Sequence, residues 1–405
     1  MLYFIKSVCI KYRKKKKMKK ALIVTRVSGF VPQFERDHVK ILQSMGYEVH
    51  YAANMNVVVY GKDNRRLEGT GLICHHIDFC RSPFSTRVVD SYQALKVLME
   101  KEEFDLIQCH MPMTGVVARL AAQAVFRKSK KRVPVLYTAH GFHFCSGAPL
   151  KNWLYYIPER FLARYTDRLI TMNQEDYERA IHFPVRGKVE KISGVGISLQ
   201  NMVSKDTQET KKIRKEIRSR WHVGEDEFLL VSVGELTKNK NHLEMLRVLA
   251  EYDIPNVKYM ICGEGELENE LKSFIQEHQL EERVVMTGYC SEIENILMSA
   301  DCFVFPSQRE GLPVAMMEAM RAGLPVIARK IRGNTDLIEN EKGGFLLKKP
   351  TEKEYYHVIR KLQTFPQLCM EMGRWNQEQV RKFSVEEVNA QMERIYNEVD
   401  EERIR

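Results

Sequence analysis

Two glutamates and the turn between them mark a segment where side chains and backbone could bind a charged ligand that is rich in hydroxyls. Glu310 and Glu318 lie eight positions apart, and Gly311, Leu312 and Pro313 stand between them. Proline suits the first position of a helix, so a helix is predicted to begin near Pro313. The free N–H groups at such a start favour a pyrophosphate. Carboxylates beside an anion need hydrogen-bond donors, such as sugar and ribose hydroxyls.

A glutamate pair at this spacing has a second interpretation. The chain contains 53 acidic residues, and two of them eight positions apart also fit the solvated face of a helix. The flanking sequence favours the ligand site. A predicted buried strand, Cys302–Phe305, leads into the turn, and Gly311 lets the backbone approach a ligand closely.

His140 and His143 lie on either side of Phe142, after the predicted strand Val133–Thr138. A histidine among aromatic residues is more commonly a packed residue than a ligand, and this interpretation is kept for His143. A metal pair of His140 and His143 would lack a carboxylate nearby in the sequence. The sequence therefore predicts no metal site.

The first half of the chain must position these groups through alternating strands and helices. Short apolar runs alternate with longer amphipathic stretches, which predicts parallel βαβ units covered on both faces. The predicted strands are Ala21–Thr25, Glu48–Ala53, Leu72–Ile77, Asp105–Cys109, Val133–Thr138, Arg168–Met172 and one near Val189–Ile192. The predicted helices are Gln33–Met45, Ser91–Glu102 and Asn152–Tyr165.

A polar, charge-dense stretch from Ser198 to Arg220 predicts a linker with a surface helix, after which the alternation resumes. The next predicted strands are Phe228–Val233, Val257–Cys262, Arg283–Thr287, Cys302–Phe305 and Pro325–Ala328. The predicted helices are Asn241–Tyr252, Glu266–His278, Glu292–Met298, Val314–Arg321 and a broken helical region over Glu352–Glu398. Two tandem Rossmann-like, doubly wound α/β domains follow from this order. Because such sheets bind ligands at the carboxyl ends of their strands, we expect an interdomain cleft. Two domains packed without a shared site are the alternative.

Length and composition exclude several protein classes. The 405 residues suffice for two or three domains, and 44% hydrophobic and 29% charged residues exclude collagen-like and broadly disordered chains. No run approaches the ~18 consecutive apolar residues that span a bilayer, so an integral membrane protein is excluded. The nine cysteines are scattered without a CxxC pair, which indicates reduced thiols and a cytoplasmic location.

The positive charge is concentrated in one terminal segment. Residues 1–20 contain nine basic residues and no acid, so 10 − 9 leaves a net charge of +1 for the other residues. Three interpretations stay open: a start-site artefact before Met18, docking on anionic lipid through residues 2–5 and the basic run, and nucleic-acid binding. Nucleic-acid binding is disfavoured because no groove-reading element follows.

The segment from Phe303 to Met320 resembles the retaining GT-B glycosyltransferases, in particular the large family 4, whose E-x7-E motif is written here as Glu310 and Glu318. The resemblance covers roughly residues 19–400. At Gly234-Glu235-Leu236 the chain looks similar to a subset of bacterial capsule and exopolysaccharide transferases.

The resemblance implies roles for individual residues. As catalytic residues it implies Lys240, which neutralises the donor diphosphate, Glu310, which holds the donor sugar, and His140, which contacts the sugar near the reacting carbon. The substrate-binding residues it implies are Gly29 in a glycine loop, Gly288 and Tyr289 at the nucleobase, Gly311, Leu312 and Pro313 at the diphosphate, and Glu318 at the ribose.

Two positions depart from the family pattern. Glu235 stands where the family usually has an arginine, so the phosphate charge must be balanced in another way. Asn239, Asn241 or a backbone contact could partly substitute for it. Ser28-Gly29 stands where many relatives have two glycines.

The resemblance implies a hexosyltransferase of cell-surface polysaccharide synthesis. It would move a sugar, with retention, from a nucleotide diphosphate sugar (a UDP-sugar) to a hydroxyl of a lipid-linked saccharide. It would need no metal or other cofactor and would bind no nucleic acid. Its location would be cytoplasmic, peripheral on the inner face of the cell membrane. Two alternatives remain: another GT-B enzyme such as a nucleotide-sugar epimerase or hydrolase, and a non-catalytic nucleotide-sugar binder.

The corresponding domain boundaries assign a function to each part of the chain. Residues 1–18 form the basic segment, 19–197 the acceptor-side domain and 198–380 the nucleotide-sugar domain. Residues 381–405 form a last helix that crosses back to the first domain, because Val388, Met392 and Ile395 have helical apolar spacing. An ordinary terminal helix is the alternative.

Overall fold

The computed structural model describes residues 18–200, 202 and 207–404, so the prediction of a basic segment falls almost wholly outside the described residues. The strands are β1 (Lys19–Val27), β2 (Tyr47–Asn54), β3 (Ile73–His76), β4 (Leu106–His110), β5 (Val135–Ala139), β6 (Arg168–Thr171), β7 (Lys188–Lys191), β8 (Phe228–Val233), β9 (Val257–Cys262), β10 (Val284–Gly288), β11 (Cys302–Phe305), β12 (Val326–Arg329) and β13 (Gly344–Leu347).

The helices cover both faces of the strands. They are α1 (Arg36–Ser44), α2 (Arg87–Glu102), α3 (Pro112–Ser129), α4 (Tyr156–Leu162), α5 (Gln174–Ala180), α6 (Gln208–Arg220), α7 (His242–Glu251), α8 (Glu268–Glu277), α9 (Ile293–Ser299), α10 (Val314–Arg321), α11 (Asn334–Leu337), α12 (Glu352–Thr364), α13 (Pro366–Gln379) and α14 (Val385–Ile404). In the part of the chain that the structure describes, every helix is too short or too polar to cross a bilayer.

Two all-parallel sheets form the two domains. The first domain has seven strands in the order β3-β2-β1-β4-β5-β6-β7, and the second has six in the order β10-β9-β8-β11-β12-β13. The central strands are nearly continuous apolar runs because helices bury both of their faces. The prediction of two doubly wound α/β domains is confirmed.

Several elements differ from the sequence predictions. The helix predicted over Gln33–Met45 begins only at Arg36, because a π-helical turn, Val31–Glu35, precedes it. The helix predicted over Asn152–Tyr165 starts as a 3-10 turn, Leu150–Tyr155, before α4. The sequence analysis assigned no element to α3, α5, α11 or β13. α3 is rich in alanine and valine on several faces, so it lacks a sharp helical period.

The last helix packs on the first domain. Val388, Met392 and Ile395 of α14 are buried in one cluster with Ile23 of β1 and Val39 of α1. The chain leaves the second domain after α13 and returns to the first domain at its end. The segment that follows the second domain in the chain therefore packs on the first domain and connects the two.

Candidate functional site

In each sheet, the point at which the strand order reverses indicates where a ligand can bind. The order reverses between β1 and β4 in the first sheet and between β8 and β11 in the second. Parallel sheets leave a crevice at the carboxyl ends of the strands at such a point. The loops after β8 and β11 carry Lys240 and Glu310, and the loops after β1 and β4 carry Phe30 and Met111.

A cavity of about 450 Å³ lies where these loops of the two domains face each other. From the first domain it is lined by Phe30, Phe34, Tyr60, Met111, Pro112, Tyr137, Ala139, His140, Gly141, His143, Met172 and Val195. From the second domain it is lined by Val233, Gly234, Lys240 and the run Glu310–Ala315. The structure thus brings together six of the predicted site residues: His140, Lys240, Glu310, Gly311, Leu312 and Pro313.

Lys240 and Glu310 form the charged centre of this cavity. The Lys240 ammonium lies 2.8 Å from Glu310 Oε1, and both side chains are mostly buried. The two loops are joined by their own hydrogen bonds: Gln308 N donates to Asn239 O (2.8 Å), and Asn239 Nδ2 donates to Arg309 O (2.9 Å). These bonds fix the lysine beside the glutamate, although 70 positions separate them in the chain.

The start of α10 supplies backbone donors next to this pair. Pro313 caps the helix, and no side chain accepts hydrogen bonds from its first turn. The first N–H groups of a helix have no acceptor within the helix, and its N-terminus carries a partial positive charge. An anionic group in the cavity can therefore be bound by backbone N–H groups and by Lys240 together.

Gly311 lies at a close backbone contact between the domains. A Cβ atom there would lie 1.9 Å from the carbonyl oxygen of His140. Only glycine permits this approach, which places the first domain's histidine loop directly on the turn before α10.

Arg332 and Asp176, which sequence reasoning missed, join the same two loops. Arg332 Nη1 lies 2.7 Å from Asp176 Oδ1, and its Nε donates to Glu310 O at 2.8 Å. Asp176 Oδ2 accepts from Phe142 N at 3.1 Å. Burial raises the pKa of Asp176, and the positive charge of Arg332 opposes this shift. The pair links the domains and holds the backbone on either side of the cavity. No local sequence pattern at Arg332 indicates a partner 156 positions away.

A buried polar network lies behind His140. His140 Nε2 is 3.1 Å from His110 Nδ1, and His110 Nε2 is 3.1 Å from Gln108 Nε2. Gln108 Nε2 also approaches Glu35 Oε2 (3.3 Å), and Gln108 Oε1 accepts from Tyr396 of α14. The sequence contains a local indication of this network, because Gln108 and His110 share one face of a strand that is otherwise apolar.

The charge state of Glu35 determines which groups of this network donate hydrogen bonds and which accept them. Burial disfavours its charge, but His110 and His38 outweigh burial and lower the pKa of Glu35 to about 2. A carboxylate only accepts, so Gln108 must turn its Nε2 towards Glu35 and His110. His110 then accepts at Nε2 and donates from Nδ1 to His140 Nε2.

His140 is thereby left neutral with its proton on Nδ1. Burial, with a contribution from His110, lowers the pKa of His140 to about 3. Its Nε2 is occupied by His110. A neutral imidazole with one free N–H can donate to a ligand oxygen in the cavity.

Glu35, His110 and His140 also have the donor set of a metal site, since their ligand atoms lie within 4.8 Å of one another. Imidazole and carboxylate groups suit zinc and similar ions. The hydrogen bonds to His38, Gln108 and between the two histidines already engage these atoms, and an ion would have to replace them. The prediction of no metal stays a prediction.

Four predicted site residues do not line the cavity. Glu318 is partly exposed on α10, burial raises its pKa, and none of the described residues hydrogen-bonds its carboxylate. Gly288 ends β10 and Tyr289 follows it, and the Tyr289 side chain is 74% exposed. The backbone of Val59 fills the space beside Gly29, where a Cβ atom would lie 1.7 Å from Val59 O.

The loops around the cavity contain a second cation. Glu235 is exposed, and Arg309, beside Glu310 in the chain, is exposed too. Burial and the charge of Arg309 lower the pKa of His143, which lines the cavity. Arg309 therefore adds a positive charge next to Glu310, which lines the cavity.

Comparisons with known proteins agree with this geometry. A family model described as "Glycosyl transferases group 1" matches residues 213–379, and one described as "Glycosyl transferase 4-like domain" matches residues 36–192. EpsD of Bacillus subtilis (strain 168), which is named as a glycosyltransferase, is 35% identical over 384 residues, or 94% of this chain and 96% of that protein.

Two further proteins are similar. The UDP-Gal:alpha-D-GlcNAc-diphosphoundecaprenol alpha-1,3-galactosyltransferase of Escherichia coli is 34% identical over 284 residues, or 66% of this chain and 68% of that protein. The crystal structure of Anabaena Alr3699/HepE in complex with UDP-glucose has a TM-score of 0.73 at 20% identity, and the match covers 94% of this chain and 99% of that one.

The match to EpsD extends over almost the whole of both chains, and each domain also matches its own glycosyltransferase family model. The HepE likeness shows the same two-domain fold. This chain therefore belongs to the GT-B glycosyltransferases of the bacterial polysaccharide type.

Proposed function

We propose that this glycosyltransferase moves a sugar from a UDP-sugar to a hydroxyl of a lipid-linked saccharide, with retention at the anomeric carbon, as a family 4 enzyme of cell-surface polysaccharide synthesis. The observation that carries the proposal is the position of Lys240 and Glu310, 2.8 Å apart beside the start of α10 and facing the first domain. The Lys240 ammonium and the free N–H groups of α10 can bind a diphosphate, and the Glu310 carboxylate can accept hydrogen bonds from sugar hydroxyls.

In the proposed reaction the bond between the anomeric carbon and the diphosphate oxygen breaks as the acceptor oxygen attacks from the same face. Negative charge grows on the departing diphosphate, and Lys240 and the α10 N–H groups stabilise it. The acceptor proton passes to the leaving phosphate. Glu310 orients the donor sugar, and neutral His140 donates Nδ1–H to a sugar oxygen.

The remaining donor contacts extend along the second domain. The carboxylate of Glu318, for which none of the described residues is a hydrogen-bond partner, would accept from the ribose hydroxyls. Gly288 and Tyr289 would lie against the nucleobase. We infer that Arg309 offsets part of the diphosphate charge that the family's arginine balances at the position of Glu235.

The relatives support the choice of substrates. The Escherichia coli relative is named for a UDP-galactose donor and a diphosphoundecaprenol-linked acceptor, and HepE was crystallised with UDP-glucose. The protein's own cation and helix start meet the charge demand at the diphosphate, so we propose that turnover needs no divalent metal. Turnover in excess EDTA tests this point.

The test is UDP release by the full chain against a panel of nucleotide sugars, with and without a polyprenyl-diphosphate saccharide. We expect acceptor-dependent release of UDP, and the anomeric proton coupling of the product should match that of the donor. Release without acceptor would identify a hydrolase. Interconversion of the donor sugar would identify an epimerase, and binding without turnover would identify a non-catalytic binder.

Lys240→Ala should lower kcat about 100-fold or more, because a single preorganised charge at a developing oxyanion contributes that much. Lys238→Ala is the matched control, since Lys238 lies in the same loop and is exposed. The proposed role of Lys240 is wrong if both variants turn over at the same rate.

A further inference from the structure

The first domain carries an apolar row that no part of the described chain covers. The turn Leu150–Tyr155 and α4 run consecutively, and four side chains project from their outer side. The exposed fractions are 88% for Leu150, 71% for Leu154, 69% for Ile157 and 46% for Phe161. Ile157 and Phe161 lie one turn apart on α4, and Leu150 and Leu154 precede them in the 3-10 turn. We call these four exposed side chains the 150–161 surface.

The inner side of this segment is firmly attached. Glu159 is buried, lies 2.9 Å from Arg119 Nη2 and accepts from the Tyr137 hydroxyl at 3.1 Å. Asn152 Nδ2 donates to His143 O at 3.1 Å, and Leu162 is buried in the core. The exposed row is therefore held in a defined orientation.

The exposed charges within this segment have one sign. Between residues 150 and 165 the exposed charged side chains are Lys151, Arg160 and Arg164, and the acid of that range, Glu159, is buried in its ion pair. Arg164 stacks on the Phe161 ring at 4.4 Å. Apolar side chains bordered by cations suit the headgroup region of an anionic bilayer, where each part meets its preferred surroundings.

The 150–161 surface also lies near the cavity between the domains. The Tyr155 ring lies 4.8 Å from the ring of His143, which lines the cavity together with Lys240 and Glu310. A saccharide whose lipid chain lies in the bilayer would thus have a short path from the membrane to the cavity.

We infer that the 150–161 surface enters the headgroup region of an anionic bilayer and holds the cleft against the membrane. Its use in presenting a lipid-linked acceptor rests on the function proposed above. The apolar side chains would reach about 5–10 Å below the headgroups.

Vesicle flotation of the full chain tests this inference, with Leu154→Ser and Ile157→Ser combined in one variant. The vesicles are equimolar phosphatidylglycerol and phosphatidylcholine, or phosphatidylcholine alone, each at low and at high salt. High salt screens the attraction of the basic segment at residues 1–17 and leaves the apolar contribution. We expect the partition coefficient of the double variant to fall about tenfold or more at high salt.

The matched control replaces two valines of similar exposure on α2 of the same domain, Val89 and Val97, at 61% and 60%. Val89→Ser with Val97→Ser should float as the parent protein does. Lys151→Gln with Arg164→Gln should weaken flotation at low salt on the anionic vesicles alone.

Equal flotation of the parent and of the Leu154/Ile157 variant would overturn the inference. A dimer in light scattering that this variant dissociates, with no flotation of the parent, would identify a second copy of the chain as the occupant and would also overturn it. UDP release with a water-soluble acceptor, measured on the same proteins, separates this question from the reaction. Its absence even in the parent would contradict the proposed function and leave the flotation result valid.

Discussion

Lys240 and Glu310 form an ion pair, so a ligand that binds either side chain must compete with the other one. A diphosphate that binds Lys240 replaces a carboxylate 2.8 Å away, and that carboxylate then needs other donors. Sugar hydroxyls provide them, so a molecule that contains both groups satisfies both residues at once. This coupling favours an intact nucleotide sugar over either of its parts.

The hydrogen-bond chain behind His140 leads to a prediction for Tyr396. Tyr396→Phe removes the donor to Gln108 Oε1, so Glu35 alone then holds the orientation of the amide, and the proton of His140 is held less firmly on Nδ1. We expect kcat to fall about 5-fold, the equivalent of about 1 kcal/mol. Nitrogen-15 shifts of the His140 ring should show a mixture of tautomers.

Tyr355→Phe is the control for this prediction, because Tyr355 is an equally buried tyrosine of the second domain. Its loss should reduce stability without changing kcat or the His140 ring. An unchanged tautomer in Tyr396→Phe would contradict the assignment.

At the scale of the elements, the site depends on turns that follow strands. β11, the turn through Gly311 and the start of α10 form one rigid unit, and β5 ends in the loop that carries His140. The two units meet where Gly311 touches the His140 carbonyl. In the proposed reaction this backbone contact would set the alignment of sugar and acceptor.

Gly311→Ala should separate these two units. The added methyl group would sit 1.9 Å from His140 O, so the loops must move apart. A displacement of about 1 Å in a reacting geometry costs about 100-fold, and we expect kcat/KM to fall by that amount. UDP affinity in calorimetry should change less, because the second domain binds the nucleotide.

Gly61→Ala is the matched control, since the nearest atoms to its Cβ lie 3.7 Å away. It should keep parental kcat/KM and the parental radius of gyration in X-ray scattering. Parental activity in Gly311→Ala would show that the close contact is unimportant.

At the scale of the whole molecule, two of the connections between the described parts of the domains reach the site. The buried pair of Arg332 and Asp176 crosses the interface beside the cavity, and α14 returns from the second domain to pack on β1. Tyr396 of α14 also belongs to the network behind His140. The helix that returns from the second domain is therefore also part of the network behind His140.

Buried neutral histidines make the molecule sensitive to acid. Burial lowers the pKa of His140 to about 3 and that of His242 to about 4, whereas an unfolded histidine titrates near 6.5. Below about pH 6.5 the unfolded chain binds protons that the folded chain does not, so stability falls as pH falls. Each histidine contributes up to about 1.4 kcal/mol per pH unit until its folded pKa is reached.

Urea unfolding between about pH 7 and about pH 5 measures this dependence. His242→Gln should make the decline shallower, and His182→Gln, which alters an exposed histidine, should not. Equal slopes in all three proteins would contradict the pKa assignments.

The sequence by itself determined the alternation of strands and helices, and with it the two parallel sheets and the edge at which ligands bind. It also located the turn before α10, because a strand end, a proline and a helix start are local signals, whereas Lys240 and Glu310 were implied by the family resemblance. β11 and α10 have the predicted boundaries, Cys302–Phe305 and Val314–Arg321, for this reason.

Only the tertiary structure decided which distant residues meet. Glu35, Gln108 and Tyr396 come from three separate parts of the chain, and Arg332 finds Asp176 across the interface. Each of these contacts depends on how sheets and domains pack, which no local pattern records. A lone buried polar residue gives no indication of its partner, because the free energy that retains it comes from a group far away in sequence.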